Sequence, residues 1–357
     1  MRKIFLDNIR WATVLLVLLY HVFYLFNHIG VPGAVIHQTS PQPVDALLYM
    51  VYPWMMVLLF LIAGISARYS LQKRSTRQFL NDRVVKLLVP ATLGLFVYHW
   101  IGGYFNLKIG GALEMIPSFL LYPIFVISGI GPLWFIQTLF LFSLLIILIR
   151  KLDSQDKIWH LFDSVHIFVV IAFVFPIWGA AQILNLPVLI MYRFGIYGMA
   201  FLAGYFIFSH DKVLEDVEKI RIPTLVLAVI LGVLYTIYYF GQDYTSDKCL
   251  QSFFTNIYLW TAVLAILGCA KAWFNQSTHF SEYITRASFG LYIMHYPVVI
   301  TVCYLLVTAF NLPVILNYVI ALVVELVLTI LLFELFKRIP VIRYLVLGIK
   351  NNKQQKA

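Results

Sequence analysis

Charge is what this sequence has least of. Only 12% of its 357 residues are Asp, Glu, Lys or Arg, about half the share of a soluble domain. So few charges cannot coat a water-facing surface. With 62% hydrophobic residues besides, soluble and disordered readings are both excluded. Cysteine is almost absent: Cys249, Cys269 and Cys303 stand apart, with no Cys-x-x-Cys pair and no histidine at ligand spacing. Neither a disulfide framework nor a metal site is expected. The chain has no glycine-rich phosphate loop of the Walker or dinucleotide kind, no convincing repeat and no low-complexity tract. It also lacks a good signal peptide. Met1-Arg2-Lys3 is basic and an apolar run follows, but Asp7 and Arg10 interrupt the run and no small-residue cleavage site appears. This segment reads as a retained first helix.

What is present is long and apolar, with a mean hydropathy of +0.87. A helical span needs about 20 apolar residues. Charged and Pro/Gly-rich breaks mark off segments 9–28, 46–66, 84–103, 131–150, 166–185, 188–208, 223–240, 253–270, 288–309 and 314–335. The fold class expected is therefore all-α: a polytopic membrane protein of about ten transmembrane helices, with residues 1–350 as a single membrane domain. Segment 117–130 is apolar but interrupted by Pro117, Pro123 and Gly129, and reads as interfacial or re-entrant. The tail, 351–357, reads as disordered and basic.

The net charge of +10 reports topology. All 26 Lys and Arg residues except Lys108, Arg193 and Lys248 fall in alternate connections that include both chain ends. The positive-inside rule then places both termini in the cytoplasm. A nucleic-acid partner is not needed to explain the basic excess; the expected surroundings are membrane lipid.

Ionisable groups inside spans mark functional sites by default. Asp7, Arg10 and His21 share one face of the first helix, because eleven residues advance a helix by about three turns. His21 then lies roughly 16 Å deeper than Arg10, near the middle of the bilayer, where a neutral imidazole is a workable base. His28 follows on the same face, where water exposure is expected. The connection RYSLQKRSTRQFLNDRVVKLLVP holds Arg68, Lys73, Arg74, Arg77, Arg83 and Lys86. Arg83 and Lys86, three apart at the mouth of the third span, suit phosphate or another polyanion. Tyr292 and His295 share a face about two turns into the ninth span. Trp134 and Gln137 open the fourth near the outer surface. His99 and Glu325 are either pair partners or substrate contacts.

Several of these stretches together resemble the acyltransferase family 3 membrane proteins, most of all the glucan biosynthesis protein C type. FLDNIRWATVLLVLLYH is similar to the family's first-helix element, with Arg10 and His21 separated by ten residues. FLIAGISARYS, FLNDRVVKLLVP, GPLWFIQTLF, ASFGLYIMHYPV and FELFKRIPVIRYLVLG resemble further elements, in family order from residue 5 to residue 348. Two positions depart from that pattern. Lys86 stands where a second Arg is expected, keeping charge without the guanidinium fork, and Ala63 lacks a serine hydroxyl.

The resemblance implies a transferase that moves an acyl group from cytoplasmic acyl-CoA to a hydroxyl of an extracytoplasmic glycan or polysaccharide in the cell envelope. The expected location is the bacterial inner membrane. Acetyl-CoA or succinyl-CoA would be the donor, with no tightly bound cofactor. On this reading His21 is the base or acyl carrier, with Asp7 and Arg10 beside it. Arg83, Lys86 and Arg68 bind the donor, while Trp134, Gln137, Tyr292 and His295 serve the acceptor or orient the site. Arg193 is a further cation available to a succinyl group. The competing reading is a transporter or flippase for a glycan or acylated intermediate, since buried charges in many helices also suit a carrier.

Overall fold

Apolar runs of this length satisfy their backbone only as helices, and helices are what the computed structural model contains. It describes residues 3–350, apart from 36–39, 187–190 and 311. The expected disordered tail lies outside the described residues, as do positions 188–190 of the expected sixth span.

The helices longer than one turn are α1 (Ile4–Leu25), α2 (Ala46–Lys73), α3 (Thr76–Ile109), α4 (Leu121–Ser128), α5 (Trp134–Leu152), α6 (Ile167–Ala181), α7 (Phe194–Phe206), α8 (Asp211–Lys219), α9 (Arg221–Tyr239), α10 (Phe253–Trp273), α11 (His279–Ala309), α12 (Val314–Arg338) and α13 (Pro340–Leu347). Their ends follow local chemistry. Ser252 caps α10 by accepting the Thr255 N–H at 3.1 Å. Pro340 opens α13, and Gly348 closes it with a φ of 62°.

Among the described residues, eight helices are long and apolar enough to cross a membrane, which makes the chain an all-α polytopic membrane protein. They correspond to eight of the ten expected spans. The other two are short. Segment 166–185 becomes α6, interrupted at Phe173 because the Pro176 ring meets the carbonyl four residues back. Segment 188–208 becomes α7, whose 13 residues rise only about 20 Å against a core of about 30 Å.

The chain forms two compact units. The first comprises 1–13, 46–80 and 141–285. In it α2 packs on α7, and α10 packs on α8 and α9. The α2–α7 crossing is backbone against backbone: a Cβ on Gly64 would run into the Phe201 carbonyl, and one on Gly204 into the Leu61 carbonyl. Small residues permit this approach in membrane helices.

The second unit comprises 14–45, 81–140 and 286–357. Its core joins Val22, Leu25 and Phe26 of α1 to Val299, Ile300 and Cys303 of α11 and to Tyr318 and Ala321 of α12. The helix α3 begins before its expected start and contains two π-helical stretches, Val84–Leu88 and Leu95–His99. Such expanded turns recur at functional sites.

Candidate functional site

In the second unit, α1 and α11 bring two imidazoles together. His21 sits in the last third of α1 and His295 halfway along α11, because α11 starts at His279, nine residues before the expected ninth span. His295 therefore lies deeper along its helix than two turns. Its Nε2 is 3.3 Å from His21 Nδ1, and the ring centres are 4.9 Å apart.

The hydrogen bonds assign the tautomers. His21 Nδ1 lies 2.7 Å from the Val17 carbonyl, and His295 Nδ1 lies 2.6 Å from the Tyr292 carbonyl. A carbonyl only accepts, so both Nδ1 atoms carry the proton and both Nε2 atoms carry a lone pair. The Nδ1–H of His21 is thus shared between Val17 and His295, and its Nε2 is left as the basic, nucleophilic nitrogen.

Aromatic side chains line this pair. Tyr20, Tyr24 and Tyr296 meet the His21 ring edge-on at 5.4, 6.2 and 5.5 Å. Tyr296 donates to Asn106 Oδ1 at 3.1 Å, and Asn106 in turn donates to the Ser128 carbonyl at 2.8 Å. None of these lining residues was picked out from the sequence. Tyr296 adjoins His295 in the chain, and that adjacency was its one visible signal.

Tyr292 and the start of α5 belong to the same neighbourhood. The Tyr292 hydroxyl donates to the Pro132 carbonyl, and its ring stands 5.6 Å from Phe135. Gln137 donates from Nε2 to the Ala91 carbonyl at 3.1 Å, between the two π-helical stretches of α3, while Trp134 is half-buried. His99 ends the second of those stretches, fully buried, with no hydrogen bond to either ring nitrogen. Glu325 of α12 is buried with one carboxylate oxygen unbonded.

At the start of α3 in this unit, Arg83 is half-buried and Lys86 exposed. A third cation that sequence reasoning missed joins them: Lys350, just past α13, reaches Asp82 at 3.4 Å. The chain doubles back there because Gly348 lies against the Val85 carbonyl and Lys86.

The sequence places His28 in water; the structure buries it. His28 is 1% exposed, with its Nδ1 3.8 Å from Asp45 Oδ2, itself fully buried. Asn27 turns the chain back at this point by accepting the Ile29 and Val31 N–H groups, which folds His28 inward.

The remaining candidates lie in the first unit. Arg10 donates to Asp7 at 2.7 Å, both partly buried. Asp7, with Asn8, Ser281 and Glu282, lines a cavity of about 330 Å³ whose charged lining is acidic. Asn8 holds the start of α1 to the Phe274 and Gln276 carbonyls at 2.6 and 2.9 Å. Arg68 is buried and donates to Asp156 at 2.9 Å and Tyr205 at 3.4 Å. Arg193 is also buried, reaching Asn185 and the Ala181 carbonyl at the end of α6, each at 3.4 Å. Among the described residues no three His, Cys, Asp or Glu side chains come together as a metal site.

Comparison with known families matches residues 3–334 to a family model described as an acyltransferase domain. No curated protein and no solved structure matches the chain.

Proposed function

Since the chain belongs to acyltransferase family 3 and is a multi-pass membrane acyltransferase, we propose that it takes an acetyl or succinyl group from cytoplasmic acyl-CoA. It passes that group to a hydroxyl of an extracytoplasmic glycan. Within the family we assign it to the glucan biosynthesis protein C type, in the bacterial inner membrane with both termini inside.

One observation carries this reading. His21, held as the Nδ1–H tautomer in the last third of α1, presents its Nε2 lone pair in a lining of tyrosines. A lone pair so placed deprotonates an acceptor hydroxyl or attacks a thioester carbonyl. Arg83, Lys86 and Lys350 supply the cationic mouth that the donor's phosphates require. Asp7 and Arg10 fix the first turns of α1. The Tyr292 and Trp134–Gln137 neighbourhood serves the acceptor and orients the pair. Arg68, with Asp156 and Tyr205 already bonded to its guanidinium, has a structural part in this account.

The test is thermal unfolding of detergent-purified protein with acetyl-CoA, succinyl-CoA or free CoA, beside Arg83→Ala and His21→Ala variants. A donor at a hundred times its dissociation constant adds about 2.7 kcal/mol. We expect one thioester to raise the unfolding midpoint, Arg83→Ala to lose that rise, and His21→Ala to keep it while releasing no thiol. Full acyl transfer by His21→Ala at normal protein levels would remove His21 from its role. Silence toward every thioester would favour a carrier of glycans or acylated intermediates.

A further inference from the structure

A general base needs one nitrogen, and the Val17 carbonyl alone would fix its tautomer. Yet a second imidazole stands on the far nitrogen of His21, with its own Nδ1–H tied to the Tyr292 carbonyl. That bond obliges His295 to offer His21 a lone pair. The arrangement is a base set behind a nucleophile, as in other activated pairs in which the second group accepts the proton that the first must lose. His295 is buried and His21 half-buried, where an isolated cation is expensive, so an imidazole acylated on Nε2 gains by shedding its Nδ1 proton.

We propose, building on the function proposed above, that His21 becomes acylated on Nε2 and that His295 accepts its Nδ1 proton in that step. The electrons balance as follows. The Nε2 lone pair attacks the thioester carbonyl, the C–N bond forms, the C–S bond breaks, and the Nδ1 proton passes to His295 Nε2. The leaving thiolate takes up that proton, leaving thiol and a neutral acyl-imidazole. The acceptor hydroxyl then attacks the acyl carbon, the C–N bond breaks, and the hydroxyl proton restores Nδ1–H on His21. The sum is thioester plus alcohol to ester plus thiol.

His295 acts through His21 and is in that sense a positioning residue. The groups facing it are His21 of α1, Tyr292 of its own helix and His99 of α3, the last within electrostatic range. No second imidazole bonds to His99, so the step ends on His295.

The experiment uses purified full-length protein in single turnover with acetyl-CoA and succinyl-CoA, reading thiol release and mass-spectrometric labelling of the peptide that contains His21. Wild type is expected to release a burst of thiol with one donor and to carry the acyl group on His21. The His295→Gln variant keeps an acceptor oxygen for Nδ1–H but stores no proton. It is expected to lose at least 100-fold in burst rate, as His295→Ala does, with donor-induced thermal stabilisation unchanged. Recovery to within threefold of wild type by His295→Gln would reduce His295 to an orienting contact and overturn the proposal. A wild-type burst with His21 unlabelled would overturn it too, without relying on any variant. Absence of thiol from wild type with both donors would instead overturn the donor assignment, and this step with it.

Discussion

The guanidinium of Arg68 lies 4.4 Å from the centre of the Trp159 ring, and His210 stacks on the same ring at 4.0 Å, nearly parallel. Trp159 also donates to Ser209 at 2.9 Å. The Arg68 guanidinium carbon stands 5.4 Å from the Tyr205 ring as well. The segment after α5 is thereby clasped onto α2 and the end of α7, within the first unit.

Removing the cation should open that clasp. Arg68→Ala leaves Asp156 without its bonded guanidinium and Trp159 without its cation, a loss of about 2–3 kcal/mol. Arg68→Lys keeps the charge but not the flat, forked group, and should recover less than half. Thermal unfolding followed by tryptophan fluorescence reads both. An unchanged midpoint for Arg68→Ala would return this residue to the pool of donor ligands.

His210 makes the same clasp sensitive to acid. Burial holds its imidazole below the ordinary value of 6.5, against the opposing pull of Asp163 at 3.5 Å, while the Arg68 charge adds to the lowering. Below about pH 6.5 the unfolded chain then binds a proton that the folded one refuses. Stability should therefore be complete above that pH and fall beneath it by at most about 1.4 kcal/mol per pH unit. His210→Phe keeps a ring on Trp159 and cannot titrate. Its stability profile should be flatter between about pH 5 and 7, and an identical slope in the two proteins would clear His210 of the effect.

The α2–α7 crossing leaves no room for a methyl group. Gly64→Ala should cost about 1–3 kcal/mol through forced separation of the two helices, and Gly64→Leu should yield little folded protein. Monodispersity on gel filtration and the unfolding midpoint measure this. A Gly64→Ala protein as stable as wild type would mean that the crossing loosens without penalty.

Asp45 gathers the chain that follows α1. It accepts the Gln42 N–H at 2.9 Å and the His28 N–H at 3.5 Å. Asp45→Ala should cost about 2 kcal/mol, since one buried and one half-buried donor lose their acceptor, whereas Asp45→Asn keeps one oxygen and should cost visibly less. Equal losses for the two variants would show that charge, and not acceptance, is what matters there.

Much of this was legible in the sequence, and the gaps have physical reasons. Hydropathy found eight full spans because long apolar runs admit no other backbone. At 166–185 and 188–208 the helices are shorter than the segments expected, because Pro176 interrupts one and the other starts only at Phe194, features that an apolar average does not weigh. That Asp7, Arg10 and His21 belong to one helix is legible from the run of apolar residues alone. The pairing of His21 with His295 was not legible. Spacing within one helix says nothing about which face of another it meets, and the polar start of α11 hid how far along its helix His295 lies. The water exposure expected of His28 fails because Asn27 reverses the chain one residue earlier. Gly64 enters the sequence reading only within the stretch FLIAGISARYS; its reason, a carbonyl of α7 at its Cα, belongs to three dimensions.

The two expanded turns of α3 bear on how this chain tolerates insertion and deletion. A π-helical stretch is an α-helix that has absorbed one residue too many without disturbing the turns on either side. Deleting a single residue within 95–99 should leave an ordinary helix in which the flanking turns keep their orientation. The same deletion anywhere else in α3 would rotate everything beyond it by about 100°. The helix thus carries two places where chain length can change by one while its faces stay where they are, and one of those places ends at His99.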